Sequence, residues 1–163
     1  MATYDVVNEA TIAATPAEIV AALLAEAAGR SQWWEPLVRL RQRGDKPPTE
    51  IGAVLDITVN GEGWLGQRFG SVRFSGRVTA YDPDRRLLLE YVGGDFRGTE
   101  EWTLDPVDAE RTRIATRWET DPQGAVRLLA RFADVPGSYS KVMLEGFRAI
   151  ERFAAQRRTE SQA

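Results

Sequence analysis

Hydrophobic positions recur along this chain with two periods, and the change from one to the other divides it. From residue 138 to about 157, Tyr139, Val142, Met143, Gly146, Phe147, Ile150, Phe153 and Ala154 return every three or four residues. That spacing predicts one amphipathic helix, with Lys141, Glu145, Arg148, Glu151, Arg152 and Arg157 mostly on the opposite side. At about 1.5 Å per residue it is roughly 30 Å long, enough to cross a small sheet. Most of the chain before it has a period of two. Segments 4–14, 37–43, 53–59, 67–81, 87–92, 96–104 and 112–120 read as strands. Turn signals at Asn60-Gly61, Asp82-Pro83-Asp84, Gly93-Gly94-Asp95 and Asp105-Pro106 separate several of them. Such short connections imply an antiparallel sheet.

Two short helices are expected after the first strand. Thr15-Pro16-Ala17-Glu18 is a strong start: threonine at the N-cap, proline in the first turn, and glutamate completing a capping box. Ile19, Val20, Leu23 and Leu24 supply its apolar side, and Gly29 is a suitable stop. Ser31 caps the second, which carries Trp33 and Trp34 and ends at Pro36. Segment 44–52, with Pro47-Pro48, reads as a loop. Asp121-Pro122 opens a helical segment through Ala133, and Val135-Pro136-Gly137 interrupts it before the long helix. Glycines within strands, at Gly70, Gly76 and Gly98, permit bulges and sharp curvature. The expected architecture is α+β, a curved antiparallel sheet covering the apolar stripe of the C-terminal helix. It forms a single domain over 1–158, followed by a frayed tail at 159–163.

Composition narrows the chemistry. The chain has 163 residues, 43% of them hydrophobic and 28% charged, as in a water-soluble domain with a real core. It has no run long enough to insert into a membrane and no recognisable leader, so a cytoplasmic location is expected. A net charge of −3 argues against nucleic acid as a partner. Cysteine and histidine are both absent. That removes disulfides, thiolate chemistry, Ser-His-Asp and Cys-His arrangements and the common zinc motifs. No metal or cofactor is expected. Acid–base work here falls to carboxylates, Tyr, Lys, Arg or water.

Four features remain. Gly61-Glu62-Gly63-Trp64-Leu65-Gly66 matches G-x-G-x-x-G, but the residues after it read as strand rather than helix, so a glycine-rich hairpin is the better reading. Arg39, Arg41 and Arg43 share one side of an expected edge strand, where charge also discourages aggregation. The tryptophans, with Trp102 and Trp118 on apolar faces and Trp33 and Trp34 near the sheet edge, serve either as core or as the walls of a pocket. Glu100 shares a face with Phe96, Gly98, Trp102 and Leu104, whereas Arg97, Thr99, Glu101 and Thr103 take the other. If Trp102 points inward, so does Glu100, which then needs a partner or stays neutral. A bulge at Gly98 would shift that register.

In this order, the opening strand with Thr15-Pro16-Ala17-Glu18-Ile19-Val20, the Trp33-Trp34-x-Pro36 segment, the run Gly76 to Pro83, the run Gly94 to Trp102 and the long last helix cover nearly the whole chain. Together they resemble the START/Bet v 1-like (SRPBCC) superfamily, most closely its polyketide cyclase/dehydrase-like branch. The resemblance implies a helix-grip fold: seven antiparallel strands curled round the C-terminal helix, enclosing a hydrophobic cavity. It implies a hydrophobic small-molecule ligand, lipid-, aromatic- or polyketide-like, in a monomer or homodimer. The residues expected to line the cavity are Trp33, Trp34, Phe74, Tyr91, Glu100, Trp102, Trp118, Tyr139, Met143, Gly146 and Phe147. The alternative is a cyclase, aromatase or dehydratase in which Glu100 gives or takes a proton, helped by Tyr91 or Arg97. A third reading is an interaction or chaperone-like module that uses the Arg39 to Arg43 face. The superfamily has no universal catalytic motif to carry across. Gly146, inside the apolar stripe, marks either a close backbone approach or room left for a ligand.

Overall fold

The computed structural model describes residues 2–60 and 71–163. The G-x-G-x-x-G motif, the second half of the Asn60-Gly61 turn and the start of the strand expected at 67–81 lie outside the described residues. The elements are β1 (Tyr4–Ile12), α1 (Pro16–Ala27), β2 (Val38–Arg43), β3 (Val54–Val59), β4 (Val72–Asp82), β5 (Arg86–Gly94), β6 (Phe96–Pro106) and β7 (Thr112–Pro122), then α2 (Gly124–Leu129) and α3 (Val135–Gln162). The strands form one antiparallel sheet in the order β1-β7-β6-β5-β4-β3-β2. It is curved and does not close. β4 and β5 slip register between Ser75 and Gly76 and again between Val78 and Ala80, which bends the sheet.

Alternation decides the inner face. In β3, Leu55, Ile57 and Val59 are buried while Val54, Asp56 and Thr58 are half-buried. In β7, Thr112, Ile114, Thr116, Trp118 and Thr120 all face the core. α3 lies in the hollow of the sheet and buries Tyr139, Val142, Met143, Gly146, Phe147, Ile150 and Ala154, the expected stripe. The other half of the helix is fixed to the β1–α1 connection. Ala13 N–H donates to Glu151 at 2.6 Å, and Arg158 pairs with Glu18 at 2.6 Å.

α1 begins as expected. Thr15 accepts from Glu18 N–H at 3.2 Å, and Glu18 accepts from Thr15 N–H at 2.9 Å, a complete capping box. The second short helix is a correction. Residues 31–37 form turns, with Glu35 N–H donating to Gln32 O and Val38 N–H to Trp34 O. Pro36 has no N–H for a helix, and Glu35 before it is biased away from helical geometry. α2 is also shorter than expected, because β7 continues through Pro122 and Asp121 is occupied by Thr3 rather than by a helix start. Asp134 caps α3, which places Pro136 in its first turn, where a missing N–H costs nothing. The stretch 159–163, expected as a frayed tail, continues the helix through Gln162.

Candidate functional site

The inner face of the sheet and the first half of α3 do not meet completely. Between them lies a cavity of about 50 Å3, measured as the volume open to the centre of a water-sized sphere. One water needs roughly 10–15 Å3 on that measure, so the space holds a few water-sized groups. Its walls come from every layer: Leu23 of α1, Leu40 of β2, Leu55 of β3, Phe74 of β4, Leu89 of β5, Trp102 of β6, Trp118 of β7 and Met143 of α3. A smaller lobe of about 20 Å3 shares Leu23, Pro48, Leu87 and Trp102 with it and continues between α1 and the 44–52 loop.

One wall residue is an acid. β6 pairs with β7 without a break, Gly98 opposite Thr120, Glu100 opposite Trp118 and Trp102 opposite Thr116, so Glu100 points inward with Trp102. Gly98 does not shift the register. Its φ of +137° and a close backbone approach, in which a β-carbon would lie 2.0 Å from Glu119 O, explain the glycine instead. Glu100 is buried and receives three hydrogen bonds. Tyr91 Oη donates to Oε2 at 2.5 Å, Tyr139 Oη to Oε2 at 3.2 Å, and Trp102 Nε1 to Oε1 at 2.6 Å. Burial pushes the carboxyl above the usual carboxylate range, while the three donors pull it back. The Tyr91 and Tyr139 hydroxyls are both held well above 10, mainly by burial and next by the charge of Glu100, so they remain donors.

The expected site residues divide. Trp34, Phe74, Glu100, Trp102, Trp118, Tyr139 and Met143 line the cavity. Tyr91 does not line the cavity; it touches the site through its hydrogen bond to Glu100 and by packing its ring on Phe74, with ring centres 4.8 Å apart. Phe147 lies edge-on to Trp102, with ring centres 6.1 Å apart. Trp33 is turned away from the cavity: its Nε1 donates to Ala22 O at 2.7 Å, and its ring stacks on Trp34. Arg97 is exposed on the outer face of β6, three positions from Glu100 and therefore on the other side of the sheet, which corrects its assignment as a helper. Gly146 is corrected too. The space beside it holds Trp34, whose Cε2, Cζ2 and Nε1 would lie 2.6–2.8 Å from an added β-carbon. Neither a strand backbone nor free volume accounts for the glycine.

Two things were missed. Much of the wall is aliphatic. Leu55, Ile57, Val59 and Val142 follow the periodicity and could have been named, but nothing local marks Pro48. The second is a buried acid outside the cavity wall. Glu26, at the end of α1, is fully buried, and Arg41 of β2 lies against it at 3.4 Å. Arg41 also donates to the Glu26 carbonyl and to Glu35 Oε1, so it ties α1 to the tryptophan segment. Burial lifts the Glu26 carboxyl to about 7. Arg41 opposes the rise and the charge of Glu35 adds to it. Arg41 is thus not part of a solvated face. Arg39 pairs with Glu35 and Arg43 with Asp56.

Among the described residues no helix is long and apolar enough to cross a membrane. A family model described as "Polyketide cyclase / dehydrase and lipid transport" matches residues 3–150. No curated protein matches the chain at a significant level. Solved structures do. The Zhui aromatase/cyclase from Streptomyces sp. R1128 superposes with a TM-score of 0.67 at 17% identity, over 94% of each chain. A START superfamily protein from Mycobacterium smegmatis gives 0.62 at 15%, over 93% of this chain and 97% of that one. Norcoclaurine synthase from Thalictrum flavum, in complex with dopamine and hydroxybenzaldehyde, gives 0.62 at 13%, over 94% and 87%. At such identities the likeness is one of fold.

Proposed function

The chain belongs to the polyketide cyclase / dehydrase and lipid transport family, and on that premise we propose that it binds a small hydrophobic molecule in the cavity between the sheet and α3. One observation carries the reading: an apolar space bounded by all the strands from β2 to β7, with one hydrogen-bonded carboxyl among the described residues of its wall. Small-molecule sites have this form, mostly apolar surface with a few fixed polar groups that orient the ligand. The cavity is small, so it takes a small ligand or one end of a larger one, the rest lying in the lobe between α1 and the 44–52 loop. A fold neighbour that holds dopamine and hydroxybenzaldehyde supports small aromatic molecules as ligands of this architecture. The test is a titration with ethylbenzene followed by tryptophan emission, because Trp34, Trp102 and Trp118 stand in the walls. Saturable uptake near one-to-one, with a smaller signal in Trp102→Phe, is expected. A folded protein that takes up none overturns the reading.

A second reading is acid–base catalysis on such a ligand. The upward displacement of Glu100 favours it, because a carboxyl that holds its proton to higher pH can both give and take one. Glu100→Gln would then lower turnover of a substrate by roughly 10²–10⁴-fold while leaving its binding largely intact. If turnover is unchanged, the binding reading stands alone.

A further inference from the structure

Among the described residues that line the main chamber, Glu100 is the only one that carries a full charge when ionised. The described residues lining the main chamber include neither arginine nor lysine, and their other titratable member is Tyr139; Arg85 and Arg86 line only the adjoining lobe. The elements packed around the carboxyl face it with Tyr91 from β5, Trp118 from β7, Tyr139 from α3 and Trp102 from its own strand. All are neutral. The negative charge therefore has hydrogen bonds but no counter-charge, and burial works against it.

The hydrogen bonds leave a gap of defined chemistry. A carboxylate offers about four acceptor positions, two on each oxygen. Tyr91 and Tyr139 occupy those of Oε2, and Trp102 takes one on Oε1. The second position on Oε1 has no partner among the described residues, and Glu100 belongs to the cavity wall. A ligand that carries a donor would complete the set at that position. A hydrocarbon leaves it empty, and a carboxylate or phosphate is repelled. A hydroxyl fills it but leaves the charge unbalanced. An ammonium group supplies both the donor and the missing positive charge in a charge-assisted bond. The aromatic rings of Trp34, Phe74 and Trp102 are also better neighbours for a cation than aliphatic walls would be.

We propose that the ligand of this cavity is an organic cation, an apolar body ending in a protonated amino group that Glu100 holds through Oε1. The inference rests on the cavity being the ligand site and adds the chemical class of the occupant.

The experiment compares four probes of similar size, ethylbenzene, benzyl alcohol, benzylamine and benzoate, by titration against the amide spectrum of the intact protein at pH 7 and 50 mM salt. Benzylamine should bind at least about tenfold tighter than ethylbenzene, benzyl alcohol between them, and benzoate most weakly. In Glu100→Gln the advantage of benzylamine over ethylbenzene should be lost, the two affinities falling within about twofold of each other. Equal binding of benzylamine and ethylbenzene in the wild type overturns the proposal, and so does tighter binding of benzoate or an amine preference that survives Glu100→Gln. In each case ethylbenzene still reports an intact cavity. If none of the four binds, the cavity reading itself fails and this proposal with it. Should Glu100→Gln not fold, the wild-type ratio of benzylamine to benzoate decides alone.

Discussion

Glu26 offers a prediction whose sign and size both follow from its position. The carboxyl is fully buried, and its ion pair with Arg41 is long, 3.4 Å, and shared with Glu35. Burial therefore wins and lifts the group from its ordinary 4.5 to about 7. The folded chain then holds this proton more tightly than the unfolded chain does. Stability from this group is fully present below about 4.5 and is lost as pH rises through 7. At about 1.4 kcal/mol for each pH unit, the loss is roughly 3 kcal/mol. For a domain of this size that is about 6–12 °C in melting temperature. Asp5, Glu18, Asp56, Asp108 and Asp121 are displaced downward from 3.8 or, for Glu18, 4.5, so their contributions change mainly below pH 4.5, under the measured range of pH 5–8. Glu100 is displaced upward and acts with the same sign, so the wild-type curve alone does not isolate Glu26. The difference between wild type and Glu26→Gln does. Gln keeps the shape of the protonated acid and cannot ionise. Urea unfolding at pH 5, 6, 7 and 8 should show the variant more stable by about 1 kcal/mol or less at pH 5 and by roughly 3 kcal/mol at pH 8. A difference that stays constant over this range would refute the reasoning.

Three further outcomes follow. Gly146→Leu should overpack against the Trp34 ring, which is itself stacked on Trp33, and cost about 1–3 kcal/mol; a melting temperature that holds or rises would mean that the ring does not fill that space. Gly98→Ala combines a φ of +137° with a β-carbon 2.0 Å from Glu119 O, so urea unfolding should show a loss of at least about 1–3 kcal/mol; unchanged stability would count against the strand geometry that aims Glu100 inward. Arg97→Ala, on the outer face, should leave the affinity for ethylbenzene within about twofold; a larger loss would return Arg97 to the site.

The architecture was legible because its signals are local and repeated. Thr15 and Glu18 announce a helix start within four residues, and the stripe from Tyr139 to Ala154 states both the length and the buried side of α3. Alternation through Glu100 and Trp102 correctly aimed an acid at the core. The site was legible only in part, because a cavity is the space that long-range packing leaves. Nothing near Gly146 in sequence indicates that Trp34, more than a hundred positions earlier, fills the gap beside it. Arg41 alternates like a solvent-facing residue, and its role appears only when α1 brings Glu26 against it. Trp33 and Trp34 look equivalent as neighbours, yet in their stacked pair only Trp34 lines the cavity, while Trp33 covers it from outside and reaches back to Ala22.

Photolabelling tests the central claim most directly, that apolar ligands occupy the space between the sheet and α3. A phenyl diazirine of toluene size, irradiated with the protein and located by peptide mass spectrometry, should label peptides carrying Leu55, Trp102 and Met143. Ethylbenzene should compete that labelling away. Labelling confined to exposed apolar residues such as Leu128 and Phe132, or labelling of the cavity peptides that rises without saturation and resists competition, would contradict the account.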